Sequence, residues 1–210
     1  MTGHIVLLGD SIFDNAAYVG GAPDVVRQLR RRLPGDWRAS LLAVDGAVVD
    51  SVQRQLGGVP ADASLLVVSV GGNDALGEAH LLERRTGSVG EGLMILVEAQ
   101  SRFARRYDAM LEAVAARGLP TAVCTIYDAD FPPPEGQLIR AGLTLFNDVI
   151  TRAAFARRLP LIDLRLICNE PSDYANPIEP SEQGGDKIAA AIARLAVERP
   201  AGQRSVVFAD

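Results

Sequence analysis

Five short apolar runs punctuate the chain, and they predict five buried strands. They span residues 4–9, 38–44, 64–70, 120–126 and 160–164. Within these runs the apolar residues are nearly continuous rather than alternating, which is typical of strands that are covered on both faces. The pattern therefore predicts a parallel sheet enclosed by helices.

The segments between these runs carry the period of an amphipathic helix. Strands that alternate with helices indicate an α/β fold, and the right-handed rule for crossovers restricts its topology. No repeat, low-complexity tract or linker divides the chain, so we predict one domain over residues 1–200, followed by a C-terminal tail or short edge strand at 201–210. The predicted helices cover residues 24–33, 48–56, 89–117, 137–158 and 181–198.

Composition narrows the classes of partner. At 210 residues the chain is long enough for one well-packed core, and its net charge of −5 argues against a nucleic-acid partner. The apolar runs are far shorter than a membrane span, and the N-terminus shows no charged leader or cleavage site, so a cytoplasmic location is the default expectation. No carboxylate spacing indicates a metal site, no cofactor is predicted, and the sequence carries no signal for an oligomeric state.

Residues suited to acyl chemistry follow three successive strands. Ser11 directly follows the first strand and is either a nucleophile or a helix N-cap. Gly46 follows the second, where its backbone N–H either faces a developing oxyanion or belongs to an ordinary turn. Asn73 follows the third, where it offers a side-chain donor or caps a helix. Because the ends of parallel strands share one edge of a sheet, the three residues are expected to converge, with the donors within reach of a developing oxyanion.

These segments resemble the conserved blocks of the SGNH (GDSL) hydrolases. The resemblance spans nearly the whole chain and implies a three-layer α/β/α sandwich, flavodoxin-like, with strand order 2-1-3-4-5. It also implies that Ser11 is the nucleophile of an ester or thioester hydrolase that needs no metal. The oxyanion donors would be the N–H groups of Ser11 and Gly46 and the Asn73 side chain. The matching segments are Gly9-Asp10-Ser11, Gly46, Gly71-Gly72-Asn73-Asp74 and the stretch from Ile178 to Ala189.

The last block departs from the family pattern. The family has Asp-x-x-His there, whereas this chain has Asn176-Pro177-Ile178-Glu179. Glu179 thus stands in the place of the base and Asn176 in that of the residue that orients it. A glutamate with its ordinary pKa near 4.3 is a poor base for a serine hydroxyl. Burial would raise that pKa, whereas the nearby helix N-terminus would lower it, and Glu179 is alternatively a helix-entry residue without a catalytic role.

Three further side chains, those of Asp10, His80 and Asn176, are candidates for substrate contact. His80 lies seven residues after Asn73 and either reaches the pocket or is an exposed histidine. Asp10 is expected to brace the turn that presents Ser11. We also count Asn176 as a candidate substrate contact. His4 begins the first strand, at the opposite end of the sheet, and is not expected to be catalytic.

The sequence therefore supports two classes of function. The first is a serine hydrolase that acts on a small acyl ester through Ser11, with Glu179 as a non-standard base. The second is a catalytically impaired protein on the same fold that binds an acyl or carbohydrate ligand. Acyl transfer to an acceptor other than water is a further possibility at the same site.

Overall fold

The computed structural model describes residues 2–198 and the strand at 207–208. The predicted domain boundary at residue 200 lies outside these residues, as does most of the 201–210 tail. The strands are β1 (Gly3–Gly9), β2 (Trp37–Leu41), β3 (Leu65–Ser69), β4 (Thr121–Cys124), β5 (Leu161–Ile162), β6 (Tyr174–Asn176), β7 (Glu179–Pro180) and β8 (Val207–Phe208). The α-helices are α1 (Val25–Arg32), α2 (Val52–Leu56), α3 (Gly72–Gly77), α4 (Val89–Ala115), α5 (Glu135–Ala156), α6 (Leu164–Ile167) and α7 (Glu182–Glu198).

The main sheet confirms the predicted strand order. Its strands run β2-β1-β3-β4-β5, and each adjacent pair is parallel. β8 adds a short sixth strand parallel to β5. Because β1 lies between β2 and β3, the loop that follows β1 is flanked by the loops that follow these two strands. This arrangement brings Ser11, Gly46 and Asn73 to one edge of the sheet.

Helices cover both faces of the sheet and form two hydrophobic cores. Alternate side chains of β1 enter opposite cores: Ile5 and Leu7 face one layer, whereas Val6 and Leu8 face the other. The first core includes residues of α1, α6 and α7, and the second includes residues of α2, α4 and α5. All four side chains are fully buried, which explains why the run reads as continuously apolar.

Several elements differ from the prediction. β2 is an edge strand, and Ala39 is its only fully covered residue, so the expectation of burial on both faces was wrong for this run. α3 begins at Gly72, within the segment that the sequence left open between a turn and a helix cap. The sequence analysis also missed the antiparallel hairpin of β6 and β7, which carries Glu179.

A buried glutamine fixes the turn between β1 and Ser11. Gly9 has a φ of +129°, and a Cβ at this position would overlap the backbone carbonyl of Ser69, so only glycine fits. The Gln55 side chain accepts the Gly9 N–H at 2.8 Å and donates to the Gly9 carbonyl oxygen at 2.8 Å. Gln55 thus supplies the partner of the Gly9 N–H and a second donor to the Gly9 carbonyl oxygen, which also accepts the Val44 N–H at 3.0 Å.

Replacing Gln55 with alanine is expected to lower the free energy of unfolding by about 1–3 kcal/mol, because the buried Gly9 N–H loses its partner and the Gly9 carbonyl oxygen keeps only the Val44 N–H. Gln55→Glu keeps an acceptor for the Gly9 N–H but places a carboxylate against the Gly9 carbonyl oxygen, so this variant should also be destabilised. Denaturant unfolding measures both effects. Gln53→Ala, an exposed position in the same helix, is the control. Equal stability of the two alanine variants would contradict the proposed contribution of the Gln55 hydrogen bonds to Gly9.

Candidate active site

Ser11 lies in a tight turn at the end of β1. The turn is closed by the Asp10 N–H, which donates to the Ser69 carbonyl oxygen, and by the Phe13 N–H, which donates to the Asp10 carbonyl oxygen. Ser11 is only 6% exposed, and it lines a cavity that opens at the carboxyl edge of the sheet. Within the described part of the chain, the Ser11 N–H makes no backbone hydrogen bond, so it remains available to an oxyanion.

The other two expected donors lie on either side of Ser11 in sheet order. Gly46 has a φ of +75°, and its N–H is likewise unused by any backbone hydrogen bond among the described residues. The Asn73 amide donates one N–H to the Ala47 carbonyl oxygen at 2.9 Å, which holds the side chain and leaves its second N–H for a ligand. Asn73 lines the cavity beside Ser11.

Glu179 lies beside the nucleophile, and both residues line the same cavity. Its carboxyl interacts with the Ser11 hydroxyl, the residue is 6% exposed, and its Oε2 has no hydrogen-bond partner among the described residues. Burial raises the pKa of Glu179 to about 7, the hydrogen bond from Ser11 opposes this rise, and the negative charge of Asp45 adds to it. Of the two opposing effects expected from the sequence, burial therefore prevails over the helix N-terminus.

Two side chains hold the backbone on both sides of Glu179. The Tyr127 hydroxyl donates to the Ile178 carbonyl oxygen at 2.6 Å, and the Asn15 amide donates to the Pro180 carbonyl oxygen at 3.3 Å. The Asn15 side chain also accepts the Val25 N–H at the start of α1. Both residues position the carboxylate, and the sequence analysis missed them because polar residues in loops carry no pattern that reveals a distant partner.

His80 and Asn176 lie away from the cavity wall. His80 is exposed in the 3₁₀ turn Ala79–Glu83, with its Nδ1 3.1 Å from the Gly77 carbonyl oxygen. Asn176 is exposed in the hairpin, where its side chain accepts the Ile178 N–H at 3.0 Å. Neither residue is among the side chains that line the cavity. This placement does not support their predicted contact with substrate. Glu179, in contrast, lines the cavity.

The cavity beside Ser11 is predominantly apolar. Its volume is about 140 Å³, and its walls come from the loops after β3 and β4 and from α4 and α5. The polar residues of the lining are Asp10, Ser11, Ser69, Asn73, Glu78, Thr125 and Glu179. Large apolar side chains that line the remainder include Leu76, Leu81, Leu96, Phe131, Leu143 and Phe146.

Asp10 is a buried carboxyl that braces the turn. It is 3% exposed and accepts the Ile12 N–H at 3.2 Å. Burial raises the pKa of Asp10 to about 8, opposed by the hydrogen bond from Ile12 and reinforced by the charges of Glu179 and Asp74. Asp10 is therefore a neutral carboxylic acid at pH 7, which limits the negative charge next to the oxyanion donors.

Asp10→Asn is expected to stabilise the protein in a pH-dependent way. The folded-state pKa lies above the unfolded value, so the stabilisation contributed by the protonated carboxyl is complete below about pH 4 and is lost as the pH rises through about 8. Asparagine keeps the acceptor for Ile12 without this loss. The variant should gain on the order of 2–5 kcal/mol at pH 9 and almost nothing at pH 4, as measured by urea unfolding. A gain that is the same at both pH values would contradict the assignment.

Comparisons with known proteins agree with the fold. A family model described as the GDSL-like Lipase/Acylhydrolase family matches residues 7–196. An extracellular lipase from Streptomyces rimosus has a similar structure, with a TM-score of 0.65 and 17% identity over 91% of this chain and all of that one. A lipase/acylhydrolase from Enterococcus faecalis gives a TM-score of 0.65 with 18% identity over 94% of this chain and 97% of that one. The psychrotrophic esterase EstA from Pseudoalteromonas sp. gives 0.64, with 18% identity over 93% of this chain and all of that one.

A search of curated protein sequences finds no match. Among residues 2–198 and 207–208, no helix is both long and apolar enough to cross a membrane.

Proposed function

Because the chain belongs to the GDSL-like lipase/acylhydrolase family, we propose that it hydrolyses carboxylic esters with Ser11 as its nucleophile and Glu179 as its base. The observation that carries this proposal is a buried glutamate that lines the same apolar cavity as Ser11 and interacts with the Ser11 hydroxyl. A carboxylate whose pKa is raised to about 7 is far better matched to proton abstraction at neutral pH than an exposed one.

Acylation begins when the Glu179 carboxylate takes the Ser11 proton as the Oγ attacks the ester carbonyl carbon. The carbonyl π-electrons move onto oxygen, and the resulting oxyanion accepts hydrogen bonds from the N–H groups of Ser11 and Gly46 and from the Asn73 amide. Collapse of the tetrahedral intermediate breaks the bond to the alcohol oxygen. The Glu179 carboxylic acid returns the proton to that oxygen, so a neutral alcohol leaves and Ser11 remains acylated.

Deacylation repeats these steps with water. Glu179, ionised again, takes a proton from a water molecule that attacks the acyl carbon, and the same donors stabilise the second oxyanion. Collapse of this intermediate returns the proton to the Ser11 oxygen and releases the carboxylic acid product. Since no described side chain is hydrogen-bonded to the Glu179 Oε2 as an aspartate would be to a histidine, the backbone anchors from Tyr127 and Asn15 carry the orienting role.

The apolar cavity accommodates the acyl chain of the ester. Its walls are mainly apolar, so transfer of an alkyl chain from water into it is favourable by roughly 0.8 kcal/mol per methylene. Gly142 of α5 lines this cavity, and a Cβ placed on it meets no other atom within 4 Å. This position therefore sets the room available for the acyl chain.

Gly142→Phe is expected to shift the preference toward shorter acyl chains. The added ring occupies space that a longer chain needs, so kcat/KM for a p-nitrophenyl octanoate should fall by at least about tenfold relative to that for the acetate. Gly142→Ala, whose methyl group has room, is the matched control and should retain the native ratio. The ratio of the two kcat/KM values measures the effect, and an unchanged ratio in the phenylalanine variant would place the acyl chain elsewhere.

The proposed function is tested by two measurements on the native chain. We expect hydrolysis of p-nitrophenyl esters from acetate to octanoate, and covalent labelling of Ser11 by a fluorophosphonate, identified by mass spectrometry of the modified peptide. Labelling requires an activated hydroxyl. Absence of both hydrolysis and labelling would overturn the proposal and favour a protein that only binds its acyl ligand.

A further inference from the structure

Acidic side chains lie on the flank of Ser11 opposite to the apolar cavity. The cavity walls come from the loops after β3 and β4, whereas Asp14 follows β1 and Asp45 follows β2, on the other side of β1 in the sheet. Neither aspartate lines the cavity. The site is therefore divided by topology into an apolar flank and an acidic flank, with the nucleophile between them.

Neutral donors hold the two aspartates in place. The Asp45 N–H donates to the Asp14 side chain at 3.0 Å, and the Tyr18 hydroxyl donates to the Asp45 side chain at 2.7 Å. Among the described residues, no ion pair of an arginine or lysine with Asp14 or Asp45 is found within 4.0 Å, although arginines pair with many other carboxylates of this protein. The negative charge of this flank is thus left without a local counter-ion.

Glu179 connects the acidic flank to the reacting atoms. Glu179 is only 6% exposed, and its Oε2 has no hydrogen-bond partner in the described residues. Asp45 acts on Glu179 electrostatically, and Asp45, Asp14 and Glu179 all raise the pKa of Tyr18, which shows that these groups share one region. Two carboxylates without an arginine or lysine partner, in the electrostatic surroundings of a buried acceptor that has no donor, favour a ligand that brings positive charge.

The described residues contain no group of three or more histidine, cysteine, aspartate or glutamate side chains placed to hold a metal ion. An organic cation needs no such coordination, since it interacts with carboxylates over a longer range and with an aromatic ring such as that of Tyr18.

We propose that the acidic flank of Asp14, Asp45 and Tyr18 selects esters whose leaving alcohol carries an ammonium group, while the acyl chain occupies the apolar cavity. This inference rests on the proposed ester hydrolysis and specifies the alcohol half of the substrate. Two carboxylates near the leaving group attract a cationic alcohol and repel an anionic one, so kcat/KM should follow the order cationic, neutral, anionic.

The test compares butyrylcholine with 3,3-dimethylbutyl butyrate, which has carbon in place of the charged nitrogen. Acid release from each ester is followed in a pH-stat at pH 8. We expect kcat/KM for the cationic ester to exceed that for the neutral one by about tenfold at low ionic strength, and the ratio to fall at 0.5 M salt. Because both esters use the same nucleophile and base, a general loss of activity cancels in the ratio.

Asp45→Asn and Asp14→Asn should each lower the ratio, and the double variant should bring it close to one. Asparagine keeps the acceptor oxygens that hold Tyr18 and the Asp45 backbone, so the loop retains its hydrogen bonds. Asp36→Asn, an exposed position just before β2 at the opposite end of that strand, removes one charge as a control and should keep the native ratio.

A native ratio near one, or one that the asparagine variants leave unchanged, would overturn this inference while ester hydrolysis itself stands. If neither butyrate ester nor any p-nitrophenyl ester is hydrolysed and Ser11 is not labelled, the proposed function fails, and the inference fails with it.

Discussion

Ser11→Ala is expected to lower kcat/KM for p-nitrophenyl butyrate by at least about 10³-fold, because it removes the atom that forms the acyl-enzyme. The oxyanion donors remain in this variant, so a slow reaction with water is expected to persist above the uncatalysed rate. Steady-state rates measure the loss of kcat/KM. Fluorophosphonate labelling reports on the nucleophile and should disappear completely in this variant.

The matched control is Ser101→Ala, at an exposed position of α4 that does not line the cavity. Alanine is a good helix former, so this variant should fold and retain native activity. If Ser11→Ala kept the activity of Ser101→Ala, the nucleophile would have to be another group. The melting temperatures of both variants show whether any loss of activity comes from unfolding.

The sequence pattern predicted the sheet because a strand that is buried on two faces requires a run of consecutive apolar residues. Leu7 enters one core, whereas Val6 and Leu8 enter the other. A short run of consecutive apolar residues is best buried as a strand covered on both faces. The pattern was weaker for β2, where Arg38 is exposed at the sheet edge. The placement of Ser11, Gly46 and Asn73 after three adjacent strands of the sheet followed from parallel topology alone, without knowledge of any side-chain contact.

The environment of Glu179 could not be predicted from the sequence because it depends on residues that are distant in the chain. Tyr127 and Asn15 reach its backbone neighbours from 51 and 165 positions away in the chain, as measured to Ile178 and Pro180. Without these contacts, the carboxylate reads as an entry residue of α7, where an anion is stabilised. The hairpin places it against Ser11 instead, and burial then decides the direction of its pKa shift.

Gln55 illustrates the same limit in a short helix. A glutamine in a five-residue helix is usually read as a surface residue, yet this side chain is buried and satisfies both backbone groups of Gly9. Only the approach of α2 to the end of β1 reveals that role. The polar groups that shape this site are thus specified by tertiary contacts, whereas the apolar framework is specified by local pattern.

Activity is expected to follow a narrow bell-shaped pH profile. The ascending limb should have its midpoint near pH 7, where Glu179 ionises and becomes able to accept the Ser11 proton. The descending limb should begin near pH 8, where Asp10 ionises and places a negative charge next to the developing oxyanion. The kcat/KM of p-nitrophenyl butyrate hydrolysis between pH 5 and 10, corrected for spontaneous hydrolysis, measures both limbs.

Three variants separate the groups that produce this profile. Glu179→Gln should lower kcat/KM by about 10²- to 10⁴-fold at pH 7.5 and abolish the ascending limb, because glutamine cannot accept the proton. Asp10→Asn should remove the descending limb and leave the ascending one. Asp45→Asn should move the ascending midpoint to lower pH, since the charge of Asp45 raises the pKa of Glu179. An ascending limb that survives in Glu179→Gln would assign the base to another group, and Ser11 would then be activated by a route that does not pass through the carboxylate it contacts.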